Sequence, residues 1–193
     1  MHEIALFVED HAHQEVVGAL ISRIAEEREV QVRLDWRSAK RGYGRVVKEY
    51  RLYLQDLTDQ VGPLHDLIVV AADSNCKGLN ERLRPFQRPV TNPRVIFAIP
   101  EPHIERWLLL DGAAFRNVLG RGCDAPDQKC IRGRYKELLR DAVRRTGVIP
   151  VLGGVEFAKD IVWQMDLGRV ARIDRSFKSF VDGIDSQFRR WQL

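Results

Sequence analysis

The chain has 193 residues, of which 45% are hydrophobic and 30% are charged, so one domain can bury a full core. Its net charge of +4 is compatible with a polyanionic partner but does not require one. No apolar run reaches the roughly 20 residues that cross a bilayer, and the start MHEIALFVEDH lacks a signal-peptide pattern, so we expect a cytoplasmic protein.

Strands and helices alternate along the first hundred residues. Short apolar or alternating runs predict strands at 4–8, 30–34, 67–72 and 95–99. Apolar residues at helical spacing predict a helix after each of the first two strands, and a third helix is expected to end before Pro85. Parallel strands need crossover connections, so this order predicts an α/β fold: a Rossmann-like parallel sheet of about four strands with helices on both faces.

Beyond Pro100 the pattern becomes helical. Helices are predicted over 104–110, 133–145 and 155–166, and a last amphipathic helix carries Phe177, Phe180, Ile184, Phe188 and Trp191. The run VIPVLGG (148–154) suggests one further short strand before a glycine turn. Nothing marks a domain boundary, so we expect a single domain over 1–193, with an α/β core at about 1–111 and a helical extension at about 112–193. Three cysteines, an odd number, predict reduced thiols.

Acidic residues follow three of the four predicted strands. They are Glu9 and Asp10 after the first, Asp73 with Ser74 and Asn75 after the third, and Glu101 and Glu105 after the fourth. Ligands of open α/β sheets bind at this edge. Crowded carboxylates without a counter-ion are costly, so we expect either raised pKa values or a bound cation such as magnesium. A simple turn at 73–75 is the alternative, since Asp, Ser and Asn all favour turns.

Two of these segments together resemble the Toprim domain, whose signature is a glutamate followed by an Asp-x-Asp. Glu9 lies in LFVED and Asp73 in IVVAADSN. The segments IPEPHIERWLLLD (99–111), DQKCIRGRYKELL and VLGGVEFAKDI resemble those of small stand-alone Toprim-like proteins. These are often encoded beside ABC-type or AAA-type ATPases in phage-defence loci, in the manner of overcoming-lysogenisation-defect nucleases. The resemblance implies a Toprim-like fold, a phage-defence role and an ATPase partner.

The resemblance also implies a metal site and a reaction. Glu9 would be an acid/base or metal ligand and Asp73 the first metal-binding aspartate, with Mg²⁺ or Mn²⁺ as cofactor. Asp10 stands where the family usually has glycine, and Asn75 where it usually has the second aspartate. An amide oxygen brings no charge, so Asp10 or Glu105 would have to compensate. The predicted function is a metal-dependent nuclease that hydrolyses phosphodiester bonds of DNA or RNA, with Glu9, Asp73 and Glu105 as catalytic residues.

The basic segment WRSAKRGYGRVVKEYR (36–51) predicts a contact with nucleic acid. Cations surround an aromatic ring between two glycines, a combination that can follow a phosphate backbone and stack on a base. A lysine just after the acidic loop could contact a phosphate oxygen. The predicted nucleic-acid-binding residues are Arg37, Lys40, Arg41, Tyr43, Arg45 and Lys77. The segment 131–145 is similarly basic, and a solvated helix face is its simpler interpretation.

Several alternatives stay open at this point. His11, His13 and His103 lie near the same strand ends, and His13 and His103 are candidates either for a transition-metal site or for helix capping and phosphate binding. Because of Asn75, the main competing function is a catalytically degenerate Toprim-like module that binds nucleic acid or an ATPase partner and regulates it. A third function is phosphotransfer or nucleotide processing on a small substrate. A homo-oligomer is compatible with the sequence.

Overall fold

The computed structural model describes residues 1–37, 42–59, 64–86 and 94–193. One parallel sheet with the strand order β2-β1-β3-β4 lies at its centre. The strands are β1 (His2–Val8), β2 (Val32–Trp36), β3 (Leu67–Ala71) and β4 (Arg94–Ala98). The predicted α/β class and parallel sheet are confirmed. Val8 pairs with Ala71 and Ala71 with Ala98, so three strands end at the same level.

Helices surround this sheet, and all regular secondary structure after β4 is helical. In chain order they are α1 (His11–Glu27), α2 (Tyr43–Thr58), α3 (Leu79–Leu83), α4 (Glu105–Leu109), α5 (Gly112–Leu119), α6 (Arg134–Arg144), α7 (Ala158–Gln164), α8 (Leu167–Ile173) and α9 (Arg175–Trp191). Short 3₁₀ turns at Arg84–Phe86 and Val155–Phe157 follow α3 and precede α7. Among the described residues, no helix is both long and apolar enough to cross a bilayer.

Both faces of the sheet are buried, which explains why β3 reads as a continuous apolar run. Side chains alternate between the faces along a strand, so Leu6 and Phe7 enter different cores. The larger core joins Leu6 to α1 and to the helices of the C-terminal half, and the smaller one joins Phe7 to α2. The helical extension therefore shares a core with the sheet, and its helices help to position the residues at the strand ends.

The strand predicted at 148–154 is wrong. Residues 148–150 are irregular and 151–154 form turns that lead into the 3₁₀ turn. The Glu156 carboxylate accepts hydrogen bonds from the backbone N–H groups of Val151 (2.6 Å), Leu152 (3.2 Å) and Gly154 (2.8 Å). These donors are therefore satisfied locally rather than by a neighbouring strand, and Gly154 has a φ of 101°, outside the extended region.

The expectation of reduced thiols is wrong for two of the three cysteines. Cys76, in the turn after β3, and Cys130, just before α6, form a disulfide with their Cα atoms 5.5 Å apart. They are 54 residues apart in the sequence, and only the packing of α6 beside the strand ends brings them together. Cys123 has a free thiol, and burial raises its pKa to about 11.

Candidate active site

The site begins where β1 and β3 lie side by side. The chain passes from β1 outwards to β2, and from β3 outwards to β4 on the other side, so the connections reverse direction between β1 and β3. Open α/β sheets bind ligands at such a switch point. Glu9 directly follows β1, and its Oε2 accepts a hydrogen bond of 3.0 Å from the backbone N–H of Asp73, two residues after β3. The two predicted acids therefore meet.

The turn after β3 is held by its neighbours. The backbone N–H groups of Ser74 and Asn75 donate to the carbonyl oxygens of Pro100 (3.0 Å) and Pro102 (3.2 Å). The buried Arg82 donates from Nε to the Ser74 carbonyl at 3.0 Å. Asn75 has a φ of 45°, in the left-handed region where asparagine is enriched among non-glycine residues. The left-handed backbone conformation therefore explains an asparagine at position 75, independently of its predicted role as a metal ligand.

Asp73 is the centre of a buried network of charged side chains. Its Oδ2 accepts from His103 Nδ1 at 2.8 Å, and its Oδ1 accepts from the backbone N–H of Ile104 at 2.9 Å. The Nε2 of His13, whose ring is fully buried, lies 3.1 Å from the same Oδ1. This Nε2 is not aligned for a hydrogen bond, so the attraction is that of an ion pair. Both candidate histidines therefore contact the predicted metal-binding aspartate.

Asp10 fixes His13 from the other side. Its side chain caps α1 by accepting from the backbone N–H of His13 at 3.1 Å, and the same oxygen lies 2.7 Å from His13 Nδ1. The imidazole is thus held between two carboxylates. Burial opposes the charged form, but the charge of Asp73 and the hydrogen bond to Asp10 raise the pKa of His13 to about 10. We conclude that His13 is an imidazolium at neutral pH.

Glu105 and Lys136 complete the cluster from the helical half. Glu105 is 2% exposed, and its Oε2 has no hydrogen-bond partner among the described residues. Lys136 Nζ, on α6, lies 3.7 Å from both Glu105 Oε1 and Asp10 Oδ2. Its side chain remains 60% exposed. These three residues line a pocket of about 240 Å³ that opens beside the strand ends.

The carboxylates divide into two kinds by their pKa. Burial opposes ionisation of Asp73, but its histidine partners lower its pKa to about 2; burial likewise opposes ionisation of Asp10, and His13 lowers its pKa. Burial raises the pKa of both Glu9 and Glu105, and the negative charge of Asp73 raises both further. The two glutamates are therefore the acids that lack sufficient positive charge around them.

A cation would supply that charge. The described residues place no three His, Cys, Asp or Glu side chains so that they could hold a metal ion by themselves. Mg²⁺, however, usually takes only one or two carboxylates and completes its shell with water and substrate phosphate. The unpartnered Oε2 of Glu105 and the raised pKa of Glu9 fit such a partial site. The donor set thus fits a cation shared between protein and substrate better than a closed structural site.

Comparisons with known proteins add nothing to this geometry. No protein-family model, curated protein or solved structure matches the chain. The Toprim resemblance therefore stays a prediction that rests on the sequence motifs. The network of Asp73 with its two histidines and the position of Lys136 are observations that stand without it.

The basic residues predicted to bind nucleic acid have partners within the chain. Tyr43 donates its hydroxyl to the Arg82 carbonyl at 2.7 Å, and the Arg82 guanidinium covers its ring at 4.0 Å. Arg37 pairs with Asp35 (3.1 Å), Arg45 with Glu49 (2.6 Å) and Lys77 with Glu81 (3.5 Å). Lys40 and Arg41 lie outside the described residues. Arg82 thus covers one face of the Tyr43 ring, and a base could stack only on the other.

Sequence reasoning did not single out Lys136. Its only signal was the basic character of 131–145, which a solvated helix face explains equally well. Glu101 remains outside the cluster, because it lines a separate pocket between β4 and α9. His11 lies 3.6 Å from Glu15 and lines the pocket beside the cluster without contacting Asp73. Helix α6 therefore supplies the group that the strand-end analysis missed.

Proposed function

We propose that the chain hydrolyses phosphodiester bonds of nucleic acid with the help of a divalent cation. The observation that carries the proposal is the gathering of acids around Asp73: Glu9 accepts from its backbone N–H, and its negative charge raises the pKa of the buried Glu105. Lys136 Nζ, on α6, lies 3.7 Å from Glu105 Oε1. Partly unneutralised carboxylates beside an exposed ammonium group suit a substrate that brings a phosphate and a cation together. Mg²⁺ or Mn²⁺ would be held by Glu9 and Glu105, with Asp73 close by.

The residues of the candidate site have distinct tasks in this proposal. The cation, when bound, would activate a water molecule and neutralise charge that develops on the phosphate. Lys136 would release its two carboxylates and contact a non-bridging phosphate oxygen. His103, which donates from Nδ1 to Asp73 and has a pKa raised by that hydrogen bond, would place positive charge beside Asp73, while solvent water protonates the leaving oxygen. His13 would keep Asp73 ionised and in place.

Two observations favour a second candidate, the regulatory module that binds nucleic acid or an ATPase partner. The positive φ of Asn75 explains this residue without a metal, and the described residues contain no complete set of side-chain ligands. In such a module the cluster would be a remnant of a catalytic site. Binding of nucleic acid without any cleavage in Mg²⁺ or Mn²⁺ would separate this candidate from the nuclease.

A cleavage assay tests the nuclease proposal. Labelled DNA and RNA oligonucleotides are incubated with the protein in Mg²⁺, Mn²⁺ or EDTA, and the products are separated on a denaturing gel. We expect cleavage with a divalent cation that stops in EDTA. Lys136→Gln should slow it by about tenfold or more, because one charge-stabilising contact is lost. Arg144→Gln, an exposed cation on the same helix, should leave the rate within about twofold.

Two outcomes would contradict the proposal. One is intact oligonucleotides under every condition. The other is cleavage that Lys136→Gln and Arg144→Gln reduce equally, because the effect would then be one of net charge rather than of the cluster.

A further inference from the structure

The loop formed by residues 148–152, next to the cluster, is unusual because it exposes large apolar side chains. Ile149 is 83% exposed, Val151 81% and Leu152 52%. The loop is nevertheless well ordered by hydrogen bonds, since the Glu156 carboxylate accepts from the backbone N–H groups of Val151 and Leu152. A hydrogen-bonded loop that exposes several large apolar side chains indicates an interaction surface.

Leu152 of this loop lines the pocket beside the cluster. Val155 lines the same pocket, together with Asp10, Glu105 and Lys136. Its volume of about 240 Å³ lies below the roughly 300–1,000 Å³ of sites for drug-sized ligands. The pocket therefore suits a small group with an apolar face that is joined to a negatively charged group. A nucleobase attached to its phosphate has this character.

We propose that the pocket accepts one unpaired nucleobase against Leu152 and Val155, next to the exposed Val151, so that the substrate is single-stranded nucleic acid or an unpaired end. This inference rests on the proposed function, because it uses the phosphate contact of Lys136 to position the base. A base within a duplex keeps its faces stacked on its neighbours and offers none to a protein wall, whereas an unpaired base can be splayed out and covered. Lys136 lies 3.7 Å from carboxylate oxygens of both Asp10 and Glu105, so this lining accepts a phosphate only together with the cation of the proposed function, and the base then lies against the apolar residues.

The test compares binding to single-stranded and duplex oligonucleotides of the same sequence, measured by fluorescence anisotropy with Ca²⁺ in place of Mg²⁺ or Mn²⁺, to supply a divalent cation while suppressing cleavage. We expect the wild type to bind the single strand more tightly than the blunt duplex. The double variant Val151→Ser/Leu152→Ser should weaken single-strand binding by about fivefold, at the low end for loss of one stacked base, and leave duplex binding unchanged. An oligonucleotide with abasic positions should bind wild type and variant equally. Leu64→Ser is the control, since Leu64 is 72% exposed but precedes β3 at the opposite edge of the sheet.

The outcomes separate this inference from the proposed function. Equal binding of single strand and duplex, unchanged by the double variant, would overturn the base pocket even if the wild type cleaves nucleic acid. A double variant that sediments as a smaller species than the wild type would also overturn it, because the loop would then cover a second copy of the chain. Selective single-strand binding without cleavage would support the pocket and contradict the nuclease proposal.

Discussion

Glu105→Gln is expected to reduce cleavage by about 100-fold or more while leaving the folded state at least as stable as the wild type at neutral pH. The rate falls because the substitution removes one of the charges that would hold the cation near the scissile phosphate. Stability does not fall because Glu105 is buried, and burial together with Asp73 raises its pKa, so its charged form is disfavoured by folding. The lost ion pair with the half-exposed Lys136 contributes less than about 1 kcal/mol.

Two measurements check this expectation: the cleavage rate and the free energy of unfolding in urea. Glu137→Gln, an exposed acid next to Lys136 in the chain, is the matched control and should leave both within experimental error. A functional role for Glu105 predicts the unusual combination of lost activity and retained stability. Loss of stability together with activity would instead make Glu105 a structural residue, and retained activity would remove it from the proposed site.

His13→Ala is expected to lower the free energy of unfolding by about 3 kcal/mol, the low end for a broken buried ion pair, because Asp73 loses its fully buried cationic partner but keeps the hydrogen bonds from His103 and Ile104. His11→Ala, two residues earlier, should cost less than about 1 kcal/mol, since the His11 side chain is 52% exposed and its ion pair with Glu15 is at the surface. Urea unfolding at pH 6 measures both. Similar losses for the two variants would show that His13 does not act as a buried counter-ion.

The pH dependence of stability separates the charge of His13 from the cavity that alanine leaves. The folded pKa of His13, about 10, lies above its ordinary 6.5, so its contribution is full below pH 6.5 and is lost as pH rises towards 10. The folded pKa of Asp73, about 2, lies below 3.8, so its contribution is full above pH 3.8 and is lost as pH falls towards 2. We expect His13→Ala to flatten the alkaline limb, whereas a cavity alone would lower stability equally at every pH.

The strands and the meeting of Glu9 with Asp73 could be predicted from the sequence for a simple physical reason. Apolar runs mark buried parallel strands, and parallel strands deliver the residues after their carboxyl ends to one edge. The observed strand bounds differ from the predicted ones by no more than two residues. Local pattern and sheet geometry were enough to bring together two acids that are 64 residues apart.

The helical half of the site could not be predicted in this way. Lys136 reaches Glu105 and Asp10 only because α6 packs beside α4, and periodicity gives the apolar face of a helix without its neighbour. The disulfide between Cys76 and Cys130 depends on the same packing. The apolar run VIPVLGG suggested a strand because its composition is that of one, but Glu156 binds the backbone N–H groups that a strand would have paired.

The most direct test of the central claim is the anomalous diffraction of crystals soaked with Mn²⁺ and inorganic phosphate. We predict a manganese ion within about 2.3 Å of carboxylate oxygens of Glu9 and Glu105, with a phosphate between the ion and Lys136. The same soak of Glu105→Gln crystals should show a weaker peak or none. An empty cluster at millimolar Mn²⁺, with Lys136 still paired to Glu105 and Asp10, would contradict the proposed cation-dependent site.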